Sequence, residues 1–192
     1  MTEKIKNIIA DSISVKQKVL NDAAMISTLE RIVDEMVAAL KNGNRIYFCG
    51  NGGSAADAQH LAAEFTGRFY TDREALAAEA LHCNTSYLTA VANDYSYDEV
   101  YARMIKGIAR KGDVLVGLST SGNSVNIVKA FEVAKEKNII TIGFTGEGGG
   151  KMKTTSDYLL AVHSKDTPRI QESHIMLGHI ICQLVEEKYF KN

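Results

Sequence analysis

Five short apolar runs recur along this 192-residue chain, and helical stretches separate most of them. Their residues are apolar almost without interruption, which is typical of strands that are covered on both faces. Strands that alternate with helices favour parallel pairing through crossover connections. The sequence therefore predicts an α/β fold, with a parallel sheet of about five strands buried between layers of helices. The predicted strands are Ile46–Cys49, Leu76–His82, Val114–Leu118, Ile139–Phe144 and Tyr158–Val162.

The predicted helices carry apolar residues at helical spacing. Two of them fall within residues 1–42, where Asn42-Gly43-Asn44 ends the second helix just before the first strand. No linker, repeat or low-complexity segment interrupts the chain, so we expect a single domain over residues 1–192. The remaining helices are predicted at Ser54–Phe65, Ser86–Ala92, Tyr97–Ala109, Val125–Glu136 and from about Ile170 to Tyr189.

The composition excludes several classes of protein. The net charge is -1 and no basic run is present, which argues against a nucleic-acid partner. The apolar stretches are too short to span a membrane, and the N-terminal residues carry charges and no apolar signal core. We therefore expect a cytoplasmic protein with no membrane partner. Cys49, Cys83 and Cys182 are widely spaced in apolar segments, as expected for reduced core thiols.

Ser119-Thr120-Ser121-Gly122-Asn123-Ser124 lies between a predicted strand and a predicted helix. At such a junction, free N–H groups and the positive end of the helix dipole point towards one place, where hydroxyl groups add further donors. The chain lacks the P-loop lysine, so this segment suits a monophosphate better than a metal-bound triphosphate. The alternative is an ordinary Ser/Thr-rich turn that caps a helix.

Gly50-Asn51-Gly52-Gly53-Ser54 repeats this arrangement after the first predicted strand. Its glycines permit positive φ angles and let a ligand approach the backbone, while Ser54 can cap the following helix. The segment lacks the glycine pattern of dinucleotide-binding folds and the acidic residue that a ribose requires. Because ligands of parallel sheets bind at the carboxyl ends of the strands, the two loops are predicted to converge on one ligand.

His60 and Glu64 are four residues apart in a predicted helix, so they share one face and could bind a metal together. A surface His–Glu pair is the alternative. Asn93-Asp94 suits sugar hydroxyls, but it also suits a turn that ends a helix. The last helix adds further polar candidates, although His179 borders an apolar stripe and could be a core histidine. These candidates are Gln171, Glu172, His174 and His179.

Taken together, the motifs closely resemble those of the sugar isomerase (SIS) domain family, and within it the members that act on heptose phosphates. The match runs almost from end to end in family order. It implies a three-layer α/β/α sandwich of the SIS type and a homotetramer with active sites at subunit junctions. The matching motifs are Gly50-Asn51-Gly52-Gly53-Ser54, His60, Glu64, Thr66-Gly67-Arg68, Asn93-Asp94, Ser119-Thr120-Ser121-Gly122-Asn123-Ser124, Gly148-Gly149-Gly150-Lys151-Met152 and Arg169-Ile170-Gln171-Glu172.

The resemblance also implies zinc, one ion per subunit, with ligands at His60, Glu64, Gln171 and His179. It assigns phosphate contacts to Ser119, Thr120, Ser121 and Ser124, and further substrate contacts to Asn51, Gly52, Gly53, Glu64, Asn93, Asp94 and Gln171. The implied reaction converts sedoheptulose 7-phosphate into D-glycero-D-manno-heptose 7-phosphate through an enediolate, a first step towards nucleotide-activated heptose for surface polysaccharides. Glu64 would move the proton between C1 and C2, and His179 would serve the two oxygens as acid and base.

Two other functions stay open from the sequence. An isomerase for another sugar phosphate is one, because cavity shape sets substrate length. A non-catalytic phosphosugar- or protein-binding member, such as a replication initiator-associating protein, is disfavoured because all four implied metal ligands are present. Gln171 and His179 are eight residues apart, which is about 12 Å along a continuous helix. We therefore expect a neighbouring subunit to supply part of the last helix's contribution to each site.

Overall fold

The computed structural model describes residues 1–191 and forms eight α-helices around a five-stranded sheet over that range. Every strand pair is parallel, and the strand order is β2-β1-β3-β4-β5. The parallel sheet predicted from the apolar runs is confirmed. The elements are α1 (Thr2–Leu20), α2 (Ala23–Lys41), β1 (Ile46–Gly50), α3 (Gly53–Thr66), β2 (Ala78–Ala80), α4 (Thr85–Asp94), a 3₁₀ turn (Tyr97–Glu99), α5 (Val100–Ile108), β3 (Val114–Ser119), α6 (Val125–Glu136), β4 (Ile140–Thr145), α7 (Met152–Thr155), β5 (Tyr158–Ala161) and α8 (Thr167–Phe190).

Helices cover both faces of the sheet, which makes a three-layer α/β/α sandwich as predicted. Successive residues of a strand point to opposite faces. Ile46 and Phe48 pack with residues of α1, α2, α3 and α8, whereas Tyr47 and Cys49 pack with residues of α4, α5 and α6. Because both faces are buried, the strands are apolar throughout, which explains their uninterrupted apolar runs.

The strand order reverses beside β1. The chain passes from β1 to β2 on one side and then returns to place β3 on the other side of β1. Gly50, the last residue of β1, is in register with Leu118 of β3. The loops that follow these two strands therefore lie side by side at the switch point, where parallel sheets bind their ligands.

Some predicted boundaries differ from the structure. The second strand, predicted at Leu76–His82, is confined to Ala78–Ala80 at the sheet edge, because the Leu76 N–H donates to the Phe65 carbonyl at 3.0 Å instead of to a strand. The helix predicted at Tyr97–Ala109 divides into the 3₁₀ turn and α5, and the short helix α7 was not predicted. Along residues 1–191, no helix combines the length and apolar character needed to cross a bilayer.

Candidate active site

The glycine loop, residues 50–54, turns the chain sharply from β1 into α3. Gly52 has a φ of 55°, a left-handed conformation that favours glycine. A Cβ at Gly50 would lie 2.3 Å from the Ser54 carbonyl oxygen, so the turn leaves no room for a larger residue. The predicted cap by Ser54 is wrong, because Gly52 occupies the N-cap position and Ser54 is buried in the first turn.

The serine loop, residues 119–124, connects β3 to α6 and brings hydroxyl groups together at the N-terminus of that helix. The Ser119 Oγ lies 2.8 Å from the Ser124 Oγ and 3.5 Å from the Ser121 Oγ. Ser124 is the N-cap residue of the twelve-residue helix α6. Hydroxyl donors at a helix N-terminus form the kind of site that binds a phosphate group. The structure thus brings together three of the four predicted phosphate contacts.

Neighbouring loops hold the serine loop in shape. Gly122 has a φ of 65°, and a Cβ there would lie 2.1 Å from the Gly149 carbonyl oxygen. Thr120, the fourth predicted phosphate contact, accepts a hydrogen bond at its carbonyl oxygen from the Gly146 N–H at 2.9 Å. The segment after β4 therefore supports the phosphate loop through backbone contacts.

A reciprocal amide pair joins the glycine loop to α6. Asn51 donates from Nδ2 to the Asn126 Oδ1 at 3.0 Å, and Asn126 donates from Nδ2 to the Asn51 Oδ1 at 2.9 Å. Tyr97 adds a hydroxyl donor to the Asn51 Oδ1 at 3.3 Å. Asn126 is buried and fixes the orientation of Asn51, a predicted sugar contact. The sequence interpretation missed Asn126, because nothing in the apolar pattern of α6 distinguishes it.

His60, Glu64 and His179 form a cluster in which one ligand atom from each lies within 4.8 Å of the others. The Nε2 atoms of the two histidines are 3.1 Å apart, and the His60 Nε2 lies 3.2 Å from the Glu64 Oε1. His60 and Glu64 share one face of α3, as their spacing predicted, and α8 packs against that helix. A single chain brings these three groups together, so a neighbouring subunit is not required for them.

The cluster fits zinc. Ligand atoms about 2.0–2.1 Å from a tetrahedral zinc ion lie about 3.3 Å from each other, close to the separations observed here. Two imidazoles and a carboxylate are also a donor set found in catalytic zinc sites, which leave a fourth position for water or substrate. His60 is exposed, and the side chains of Glu64 and His179 are partly buried, so a small molecule can approach.

Gln171 lies inside α8, near its start, and its side-chain amide rests against the glycine loop. A Cβ at Gly53 would lie 2.8 Å from the Gln171 Nε2, so a larger residue at this position would displace the amide. Contact with this loop agrees with a role in substrate binding. The role of Gln171 as a fourth metal ligand stays a prediction.

Asn93 and Asp94 are the last two residues of α4, and both are exposed. Over residues 1–191, the Asn93 Nδ2 donates to the Asp94 Oδ1 at 3.0 Å, and neither side chain bonds to another predicted site residue. The structure therefore does not join them to the two loops by hydrogen bonds, and their role as sugar contacts stays a prediction.

Asp57 is a further residue of this region that the sequence interpretation missed. It stands three residues before His60 on α3, and burial raises the pKa of its carboxyl group while His60 and His179 act in the opposite direction. Within the described chain, its buried Oδ2 has no hydrogen-bond partner. Its position in the same helix turn as the predicted metal ligand was the only signal available in the sequence.

Comparison with known proteins defines the class. The sequence profile of the SIS domain matches residues 7–146, which is most of the chain. Two phosphoheptose isomerases of solved structure share the fold, from Neisseria gonorrhoeae (42% identity, TM-score 0.91) and Francisella tularensis (30% identity, TM-score 0.92). Each comparison covers 97% of this chain and 98% of the other. The chain therefore belongs to the SIS domain family, as its motifs indicated.

Curated relatives narrow the assignment within that family. The phosphoheptose isomerase of Aneurinibacillus thermoaerophilus is 51% identical over 192 residues, covering 100% of this chain and 97% of the relative. That of Clostridium acetobutylicum is 50% identical over 190 residues, covering 99% and 97%. This chain thus belongs among the phosphoheptose isomerases, which confirms the enzyme class expected from the motifs.

Proposed function

We propose that this chain converts sedoheptulose 7-phosphate into D-glycero-D-manno-heptose 7-phosphate through an enediolate. The observation that carries the proposal is the cluster of His60, Glu64 and His179 on α3 and α8, together with the serine loop at the edge of the sheet where α3 begins. One group of residues suits the phosphate, and the other suits proton transfer at a carbonyl. An isomerase of a phosphorylated sugar needs both.

The serine loop positions the substrate. Ser119, Ser121 and Ser124 offer hydroxyl donors at the N-terminus of α6, where the helix dipole favours an anion. In a seven-carbon sugar the phosphate is remote from C1 and C2. Its binding energy therefore serves to orient the reacting carbons.

Glu64 and His179 carry the protons in the proposed reaction. The Glu64 carboxylate removes a proton from C1 and returns it to C2, and the His179 imidazole exchanges protons with the two oxygens. His60 lies between them in the cluster, with its Nε2 3.1 Å from that of His179. In this proposal Asn51, whose orientation Asn126 fixes, bonds the sugar hydroxyls.

Zinc is the proposed cofactor, one ion per subunit, with His60, Glu64, His179 and Gln171 as its ligands. When bound, zinc would polarise the substrate carbonyl and stabilise negative charge on oxygen. The donor set and its spacing support the proposal. In this proposal the serine loop binds and orients the sugar phosphate, and Glu64 and His179 move the protons.

The test is an assay of the conversion of sedoheptulose 7-phosphate to the aldoheptose phosphate, in the presence and absence of a chelator, with the product measured by chromatography. We expect turnover that the chelator removes and that added zinc restores. A set of shorter ketose phosphates, assayed in parallel, distinguishes this enzyme from an isomerase for another sugar. Turnover of a shorter substrate alone would overturn the substrate assignment, and absence of any turnover would favour the binding-module alternative.

We also propose that the chain is a single SIS domain over residues 1–192 that assembles as a homotetramer, with α1 at a subunit interface. Only Val15 and Val19 of α1 are buried in the described chain. The helix exposes a row of isoleucines, Ile5, Ile9 and Ile13, at four-residue spacing. A row of large apolar side chains on one helix face is typical of a helix that packs against a partner.

Light scattering on purified variants tests this assembly. Ile9→Lys places a charge within the exposed row and should reduce the mass of the particle. Asp11→Lys changes an exposed residue of the same helix and is the matched control, which should keep the tetramer. A tetramer that survives Ile9→Lys would show that the row is not an interface.

We further propose that the protein acts in the cytoplasm. All three cysteines are free, as expected where thiols stay reduced. Cys49 and Cys182 are buried as predicted, whereas the prediction of a core position is wrong for Cys83, which is exposed. Fractionation of cells that express the tagged chain, with a periplasmic marker enzyme as reference, tests this location.

A further inference from the structure

Arg73 and Glu186 form a buried ion pair outside the metal-binding cluster. Their side chains are 5% and 3% exposed, and the Arg73 Nε donates to the Glu186 Oε2 at 2.9 Å. A buried pair contributes to a fold only when hydrogen bonds satisfy its remaining atoms. The other hydrogen bonds of this pair are numerous, and they go to the end of α3 or to residues 67–74 that follow it.

Arg73 caps the C-terminal end of α3. Its Nη2 donates to the carbonyl oxygen of Glu64 at 2.7 Å, and its Nη1 donates to those of Phe65 at 2.7 Å and Gly67 at 2.9 Å. The last carbonyls of a helix lack partners within the helix, and a cation there is favoured by the helix dipole. The guanidinium group thus holds the backbone of Glu64 itself.

Glu186 holds the turn after α3 from the other side. Its carboxylate accepts the N–H groups of Tyr70 and Thr71 at 3.0 Å each, and that of Phe69 at 3.2 Å. Burial alone would raise the pKa of Glu186, but hydrogen bonds from Arg73 and these N–H groups hold it below its usual value. The carboxylate is therefore charged and fully engaged at neutral pH.

The same pair is connected to His179. Glu186 follows His179 by seven residues on α8, so the two side chains share one face of that helix. The ring of Phe69, whose N–H bonds to Glu186, lies 5.7 Å from the ring of His179. Helices α3 and α8, which carry the clustered metal ligands, are thus joined by one buried ion pair.

We propose that Arg73 and Glu186 are positioning residues of the metal site, which lock α3 to α8 so that His60 and Glu64 meet His179. The inference rests on the proposed zinc site. Neither residue touches the ion or the substrate. They act by fixing the backbone of Glu64 and the relative placement of the two helices, as residues around metal ligands commonly do.

Metal affinity is the decisive readout, measured on the full chain by competition between the protein and a chromophoric chelator for Zn²⁺. Glu186→Gln keeps the size of the side chain and removes its charge. It should weaken zinc binding by about tenfold or more, within the range seen when groups that support metal ligands are changed. The visible spectrum of the Co²⁺-loaded variant should also change, because the ligands are no longer held in the same arrangement.

Asp113→Asn is the matched control. Asp113 is another buried carboxylate that accepts backbone N–H groups, but it stands before β3, at the opposite end of the sheet from the metal ligands. Its replacement should lower the melting temperature and leave zinc affinity unchanged. Equal loss of affinity in both variants would show a general effect of destabilisation and overturn the proposal.

Two further variants separate the possible failures. His60→Ala removes a proposed zinc ligand and should therefore bind zinc more weakly than the wild type. Equal zinc affinity in the two proteins would contradict the zinc site and with it part of the proposed function. If the site is real and a folded Glu186→Gln binds zinc as tightly as the wild type, only the positioning proposal fails. If Glu186→Gln does not fold, Arg73→Lys, which keeps the charge and loses the multiple carbonyl contacts, is judged by the same comparison.

Discussion

The two ends of the sheet differ in whether their buried polar groups have hydrogen-bond partners within the protein. At the amino end, buried Asp113 precedes β3 and uses both carboxylate oxygens. Its Oδ1 accepts the Arg45 N–H at 2.9 Å and the Asn44 side chain at 3.2 Å, and its Oδ2 accepts the Arg110 N–H at 2.7 Å. This network satisfies its members with groups of the protein alone.

At the carboxyl end, several buried polar atoms lack protein partners. Over residues 1–191, the buried side-chain atoms without a hydrogen bond lie on residues that end a strand, follow one, or belong to the helices that begin at this end. They are Thr145 Oγ1, His82 Nδ1, Asp57 Oδ2, Arg169 Nε and His174 Nδ1. Such atoms are rare in folded proteins, and strain, a catalytic role or a bound water or ion commonly explains them.

This difference indicates which end of the sheet carries the functional groups. Both ends consist of loops rich in glycine and polar residues, so composition alone does not separate them. What separates them is whether the donors and acceptors are already used within the protein. Changes at the amino end should therefore affect stability alone, whereas changes in the glycine loop, the serine loop and the cluster of His60, Glu64 and His179 should affect catalysis or ligand binding.

The largest contrast is expected for Glu64→Gln and His179→Gln. Each removes a proposed proton carrier with little change in volume, so kcat should fall by about a hundred- to ten-thousand-fold. Steady-state kinetics with sedoheptulose 7-phosphate measures the loss, and circular dichroism checks the fold. A variant that keeps wild-type kcat would lose its assigned role.

Glycine substitutions compare the two ends directly. Gly122 and Gly43 both have left-handed φ angles, of 65° and 76°. That conformation costs a residue with a side chain about 1–2 kcal/mol. At Gly43 the space around a Cβ is open, whereas at Gly122 the Cβ would lie 2.1 Å from the Gly149 carbonyl oxygen.

We therefore expect Gly122→Ala to lower stability well beyond that amount and to raise KM, because the serine loop must shift. Gly43→Ala should cost only the conformational strain and leave both kinetic constants unchanged. Urea unfolding and steady-state kinetics on the two variants test the pair. A rise in KM for Gly43→Ala would contradict the claim that changes at the amino end of the sheet leave substrate binding unaffected.

Ser124→Ala removes one donor of the phosphate loop. A hydrogen bond to a charged group contributes about 1.5–3 kcal/mol, so substrate affinity should fall by roughly tenfold or more while kcat changes little. Binding of inorganic phosphate, followed by calorimetry, provides a second readout. A lowered kcat with unchanged phosphate affinity would show that this loop does not bind the phosphate.

The effect that is smallest at neutral pH is a pH dependence from buried His174. Burial lowers the pKa of His174 to about 4, despite a hydrogen bond of its Nε2 with the Thr145 carbonyl oxygen. Between the unfolded value near 6.5 and about 4, the unfolded chain binds the additional proton. Stability should therefore fall as pH is lowered through this window, by up to about 1.4 kcal/mol per pH unit, and this residue should contribute no slope above it.

Unfolding by urea at a series of pH values, for the wild type and for His174→Gln, measures this contribution. The variant should lose part of the slope below pH 6.5 and keep the wild-type behaviour above it. An identical slope in both proteins would show that His174 is protonated or solvated in the folded state.

The sequence determined the features that depend on short-range order. Uninterrupted apolar runs defined a sheet buried on both faces, because a strand covered on both sides has no polar face to show. The two glycine and serine loops, and the shared face of His60 and Glu64, followed from spacing along single elements. Family motifs added Gln171 and His179, which spacing alone did not single out.

Only the tertiary structure decided which distant residues meet. His179 is 119 residues from His60, and no periodicity within one helix specifies how α8 packs on α3. Asn126, Arg73 and Glu186 were missed for the same reason, since an amide or a charge on a helix or loop looks the same in sequence whether it faces water or a buried partner. Burial and hydrogen bonding arise from packing over long separations, and only they distinguish the polar residues that we propose orient this site.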